Sequence, residues 1–106
     1  SPPKWHDESS LLGWMQRQNL GTAATRAQVI EDLIYYGYIV RTSTGQIRST
    51  VEGVRMVEML EGRIGDDLTG TAGARQMEEF IERIGGMAKE RPTRARLWDT
   101  VVSRVR

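Results

Sequence analysis

Gly21-Thr22-Ala23-Ala24-Thr25-Arg26 decides the fold, because of what stands after it. An apolar pattern of helical period runs on to Tyr36. It is followed by Gly37-Tyr38-Ile39-Val40, a Thr44-Gly45 turn and Gln46-Ile47-Arg48-Ser49-Thr50. Helix, hairpin, helix is the order of a winged helix-turn-helix. The opening turn is small, hydroxyl-rich and basic, which suits a phosphate backbone. Amides at a helix N-terminus carry partial positive charge, and Thr25 and Arg26 add donors. An ordinary capped helix start fits the same six residues, since small residues permit a tight turn and Thr22 can cap.

Working outward, the helix is expected over Ala23–Tyr36, with Ala27, Ile30, Leu33 and Ile34 inward, Val29 beside them and Gly37 as its stop. Before it, Leu11, Leu12, Met15 and Gln18 fall on one stripe, which predicts a helix from Asp7 to about Gln18. Asp7, Glu8, Ser9 and Ser10 supply its cap. Two short strands are expected at Tyr38–Arg41 and Gln46–Ser49. Thr50 caps a third helix to about Glu61 that buries Val54, Val57 and Leu60. Gly62 to Leu68 reads as loop. Met77, Phe80, Ile81 and Ile84 then mark a fourth helix, closed by Gly85-Gly86. A last helix, Thr93 to about Val105, places Leu97, Trp98, Val101, Val102 and Val105 on one face. The expected class is mainly α, winged helix-turn-helix-like, with about five helices and one small β-hairpin. All of it forms a single domain over 1–106, a winged-helix-like part (1–61) and two packing helices (62–106).

Composition narrows the function. The 106 residues include no cysteine, so disulfide, thiolate and cysteine-zinc chemistry are excluded, and a cytoplasmic setting fits. No apolar run approaches the ~20 residues of a membrane span. Net charge is only +1, so affinity for a polyanion must come from local placement of charge. That placement is uneven. Lys89, Arg91, Arg94, Arg96, Arg104 and Arg106 face only Glu90 and Asp99 near the C-terminal end. The opening Ser-Pro-Pro-Lys, without methionine, reads as part of a longer protein.

Little in the chain looks catalytic. His6 is the single histidine, expected in a mobile N-terminal segment, without the companions that metal binding or a triad needs. Asp66-Asp67 reads as a solvated pair with no third ligand. Tyr35, Tyr36 and Tyr38 have no neighbouring base or cationic stabiliser, so packing is their expected role. Arg41, Arg48 and Arg55 gain weight only if the hairpin projects them to the side of Thr25 and Arg26. No catalytic residue and no metal ligand is assigned.

Gly21 to Ala27, with Val29-Ile30-Glu31 and Gly37-Tyr38-Ile39, resembles the G-T-P-A-T-R-A…I-I-E…G-Y-I segment of type IA DNA topoisomerases, in the wording of the topoisomerase III-like branch. Further pieces match in order. Pro2-Pro3-Lys4-Trp5 is similar to the family's P-P-x-aromatic entry, and Ser49-Thr50-Val51-Glu52-Gly53 to its P/S-T-x-x-G stretch. Leu68-Thr69, Met77-Glu78, Ile81-Glu82-Arg83-Ile84 and Trp98 to Val102 resemble later family motifs. Ala23, Gly73-Ala74 and Met77 depart from the usual residues.

The resemblance implies a parent enzyme that passes one DNA strand through a break in another. That enzyme uses a tyrosine in a Y-x-R-T context and acidic Mg2+-binding residues. Neither matches here, so this chain alone is expected to be inactive and to need no cofactor. Its implied task is to hold single-stranded DNA beside the cleavage site, in contact with the other domains of a nucleoid-associated cytoplasmic enzyme. The implied DNA-binding residues are Gly21, Thr22, Thr25 and Arg26, with Arg48 from the hairpin, and no membrane is involved. A stand-alone winged-helix regulator is the alternative, with Ala23–Tyr36 in the major groove and Arg41 and Arg48 on the wing. A third reading has Trp5, Trp14 and Trp98 docking against neighbouring domains.

Overall fold

Three short polar side chains decide where helices begin. In the computed structural model, which describes residues 5–61, 82 and 91–106, Asp7, Thr22 and Thr50 are each extended and turn a side-chain oxygen onto the amide three residues on. They start α1 (Glu8–Arg17), α2 (Ala23–Tyr35) and α3 (Val51–Leu60). At α1 the cap is reciprocal: Ser10 N–H donates to Asp7 at 2.7 Å, and the Ser10 hydroxyl accepts from the Asp7 amide at 3.0 Å. Gly37, at φ 81°, ends α2 in the left-handed region that favours glycine.

Between α2 and α3 lies an antiparallel hairpin, β1 (Ile39–Arg41) with β2 (Ile47–Ser49). Its register pairs Ile39 with Ser49, Val40 with Arg48 and Arg41 with Ile47. Alternation sends Ile39 and Ile47 inward, each 1% exposed, and puts Val40 and Arg48 on the outer face. The segment before α1 joins the same sheet. The Ile47 amide donates to the His6 carbonyl at 2.7 Å, and Asp7 bridges to Gln46.

The last helix, α4 (Arg91–Arg104), starts two residues earlier than Pro92 suggested. Proline is tolerated in a first helical turn, whose amides have no intrahelical acceptor. Leu11 and Met15 from α1, Val29, Ile30 and Leu33 from α2, Val57 from α3 and Trp98, Val101 and Val102 from α4 meet in one apolar cluster with the hairpin's isoleucines. Four helices and one two-stranded hairpin are therefore present among the described residues. The expected fourth helix around Met77–Ile84, the loop before it and Asp66-Asp67 lie outside them.

Several inward assignments change. Ala27 is exposed while Val29 is buried, because the buried stripe of α2 centres on Ile30 and Leu33 and leaves Ala27 on its flank. Gln18 is exposed as the C-cap of α1. In α3, Gly53, Met56, Val57 and Met59 are buried, and Val54 and Leu60 are half-buried. The Gly53 amide donates to the Thr50 hydroxyl at 3.0 Å, and that hydroxyl donates in turn to the Gly37 carbonyl at 2.6 Å. One threonine thus ties the end of α2 to the start of α3.

Candidate nucleic-acid interface

The mouth of α2 is open. Gly21, Thr22, Ala23, Ala24 and Thr25 are all exposed, and the first amides of a helix lack intrahelical acceptors. Gly21 adopts φ 64°, and a side chain there would press on Thr25 Cγ2 at 3.1 Å. The backbone angle favours glycine, and the tight space adds to that preference. Thr22 Oγ1 accepts from the Thr25 amide at 3.3 Å and lies 2.9 Å from the Thr25 hydroxyl. Two hydroxyls and two uncapped amides, those of Ala23 and Ala24, converge where the helix dipole is positive, with no acidic residue in the first turn.

Arg26 behaves differently. It lies four residues before Ile30 and seven before Leu33, on the inner stripe, and is half-buried. Its Nε donates to the Leu20 carbonyl at 2.7 Å and its Nη2 to the Gly21 carbonyl at 2.9 Å. The guanidinium braces the loop that enters the helix, and only Nη1 stays outside that pair of bonds. Arg48 belongs to another cluster: its Cζ sits 3.4 Å from the centroid of the Trp5 ring. The structure thus brings Gly21, Thr22, Thr25 and Arg26 into one turn and joins Arg48 to the N-terminal tryptophan. Arg41, on the inner side of the hairpin, pairs with Glu8 at 2.8 Å and Glu31 at 3.1 Å.

A groove of about 350 Å³ continues from the mouth along α2 toward α4. Thr25, Gln28, Val29 and Asp32 form one wall, and Arg94 and Trp98 the other. Gln28 donates to the Asp32 carboxylate at 2.8 Å, so the far end is partly acidic. Gln28 and Arg94 were not singled out from sequence. The excess of arginine near the C-terminal end was the one signal for Arg94, and it did not say which arginine faces α2.

The tyrosines pack. Tyr36 meets exposed Tyr35 edge to face at 5.1 Å and lies 5.7 Å from Trp98, and Tyr38 is also 5.7 Å from Trp98. His6 is not in a loose segment. Its Nδ1 is 3.0 Å from the Ser10 hydroxyl, and Arg104 Nε donates to its Nε2 at 3.0 Å. A ring that accepts at Nε2 is neutral with its proton on Nδ1. Burial first, then the charges of Arg104 and Arg17, hold its pKa below the ordinary value, against a smaller opposing effect of Asp7. Among the described residues no three His, Cys, Asp or Glu side chains gather as metal ligands, and no helix is long and apolar enough to cross a membrane.

An open helix mouth with paired hydroxyls, flanked by a groove carrying a guanidinium, has the form of a polyanion-binding surface. The family model for DNA topoisomerase matches residues 1–93, and the chain belongs to that family. DNA topoisomerase 1 of Methanocaldococcus jannaschii is 32% identical over 83 residues, which cover 78% of this chain and 10% of the relative. DNA topoisomerase 1 of Aeropyrum pernix is 37% identical over 80 residues, 74% of this chain and 11% of the relative. That of Pyrococcus horikoshii is 32% identical over 91 residues, 84% and 13%. The chain thus spans about a tenth of the length of these curated relatives. No solved structure matches it significantly.

Proposed function

We propose that this chain is the part of a type IA DNA topoisomerase that holds single-stranded DNA beside the strand-cleavage site, through the mouth of α2. The observation that carries the reading is the exposed Gly21–Thr25 turn, with the Thr22 and Thr25 hydroxyls 2.9 Å apart at the positive end of a helix. A phosphate there accepts from the Ala23 and Ala24 amides and from one threonine hydroxyl. Arg26 contributes mainly by fixing the loop, and its charge adds to the field. Backbone contacts of this kind carry no base information, so binding is weak, sequence-tolerant and salt-sensitive.

Cleavage, strand passage and the Mg2+ they use belong in this reading to other domains of the parent enzyme, which also form this chain's protein partners. The described residues gather no ligand set for that ion. We assign the chain to the topoisomerase III-like branch on the wording of Gly21–Ala27, and the helix–hairpin–helix order supports a winged-helix-like part over 1–61 followed by packing helices. The parent acts at the nucleoid. A major-groove role for α2 is disfavoured, because Glu31 and Asp32 lie on its outer half and Arg41 is paired with Glu8 and Glu31.

The test is binding of dye-labelled oligothymidylate by the 106-residue chain across a salt series. Binding that weakens steeply with salt, exceeds binding to duplex of any sequence and falls several-fold in Thr25→Ala supports the proposal. Tighter binding to one particular duplex than to single strands overturns it.

A further inference from the structure

The outer face of the hairpin carries a second arrangement that the α2 mouth does not use. Val40 and Arg48 are cross-strand partners on that face, and Trp5 lies against Arg48 with the guanidinium carbon 3.4 Å from its ring centroid. Trp5 is 45% exposed and Val40 46%. The backbone just after Trp5 is fastened to β2 by the Ile47-to-His6 hydrogen bond and the Asp7–Gln46 bridge. The indole is therefore held from two sides, by its own backbone and by the cation on one of its faces. Arg48 Nε is buried without a hydrogen-bond partner among the described residues, and the contact that the guanidinium makes with the ring is a cation–π one. Neither strand contains an acidic residue.

A half-exposed indole beside a cation that forms no ion pair among the described residues matches the chemistry of one nucleotide: a flat π-face for the base and a charge for the phosphate. We propose that Trp5, held by Arg48, is a stacking platform for an unpaired nucleobase of single-stranded DNA. The inference rests on the reading that the chain meets single strands, and it adds a base contact to the phosphate contacts of the α2 mouth. Duplex DNA cannot use the platform, because its bases are already stacked on each other. The platform therefore supplies a reason for single-strand preference that backbone contacts alone lack.

The experiment compares oligothymidylate with an abasic strand of equal length, which keeps every phosphate and lacks every base, by fluorescence anisotropy. Trp5→Leu keeps apolar bulk without a π-face, and Trp5→Phe keeps the π-face. Expected is a loss of about five- to a hundredfold on oligothymidylate for Trp5→Leu. Trp5→Phe should retain most of the affinity, and the abasic strand should bind all three proteins alike. Equal binding of oligothymidylate by Trp5→Leu and wild type overturns the platform, as does an equal loss on the abasic strand. If Thr25→Ala weakens binding and Trp5→Leu does not, the platform alone falls. If the wild-type chain binds neither strand, both readings fall.

Discussion

The guanidinium of Arg26 turns back onto the Leu20 carbonyl, with Nε 2.7 Å from the oxygen, and closes the loop that delivers the chain to α2. The same group bonds Gly21, so a cation that the sequence placed at a phosphate site is spent largely on holding that site's shape. Arg26→Ala should cost about 1.5–3 kcal/mol, the range for hydrogen bonds from a charged donor. Arg26→Lys should recover only part, since an ammonium cannot span both carbonyls as the fork does. Urea denaturation of the two variants reads this directly. Midpoints equal to wild type for both would show that the brace carries no energy.

Gly53 gives a case in which helix propensity and packing disagree. Alanine is favoured over glycine in a helix by about 1 kcal/mol. At Gly53, however, a Cβ would collide with the Tyr38 carbonyl oxygen and lie 3.1 Å from Val102 Cγ1. That carbonyl also accepts from the Thr50 amide at 3.1 Å, so it cannot withdraw freely. Overpacking wins, and Gly53→Ala should destabilise by about 1–3 kcal/mol. A melting temperature raised by the substitution would refute the close approach of α3 to the hairpin.

The His6 ring links the two ends of the described chain and sets a pH dependence. Its pKa is lowered in the folded state, chiefly by burial and then by Arg104 and Arg17. The unfolded chain therefore binds the proton more readily between that lowered value and the ordinary 6.5. This contribution is fully present above 6.5 and is lost as the pH falls through the folded value. Protonation also removes the lone pair that accepts from Arg104. Asp7, lowered by its hydrogen bonds with Ser10, acts separately and only below its ordinary 3.8. Melting temperature should drop between neutral pH and pH near 5 (about the lower edge of the histidine range). His6→Gln should flatten that part of the profile.

Trp98 is the hub of the aromatic packing, 1% exposed, with Tyr36 and Tyr38 both 5.7 Å away. Trp98→Ala should cost about 3–5 kcal/mol. Trp98→Phe should cost less, because it keeps a ring against the two tyrosines. Since Trp98 also lines the groove beside Thr25, the alanine variant should weaken single-strand binding even under conditions where it stays folded. Near-ultraviolet circular dichroism with oligothymidylate anisotropy separates the two effects.

Much of the fold was legible because it is local. Asp7, Thr22 and Thr50 announce helix starts through bonds that reach three residues, and Gly37 announces a stop through its own backbone angle. The apolar periods of Leu11–Met15, Ile30–Leu33 and Trp98–Val105 named most of the core. Ala27 failed because a small apolar residue weighs little in such a pattern, and one flank of α2 was mistaken for its centre. The candidate site was legible as a turn, from Gly21 to Thr25, and illegible as a surface. Nothing in the chain order says that Arg94 faces Thr25 across a groove, or that Arg48 meets Trp5 instead of the α2 mouth.

The sequence by itself determined the caps, the hairpin turn, most of the inward stripes and the family, since each of these rests on neighbours within a few positions or on residue order. Only the tertiary structure decided where the cations point. Arg26 folds under its own helix, Arg41 joins two carboxylates, Arg48 lies on an indole, and Arg104 reaches His6 98 positions away. The physical reason is the length and flexibility of the arginine side chain. Its charged end can meet any of several partners, and which one it meets depends on elements that come together only when the core closes.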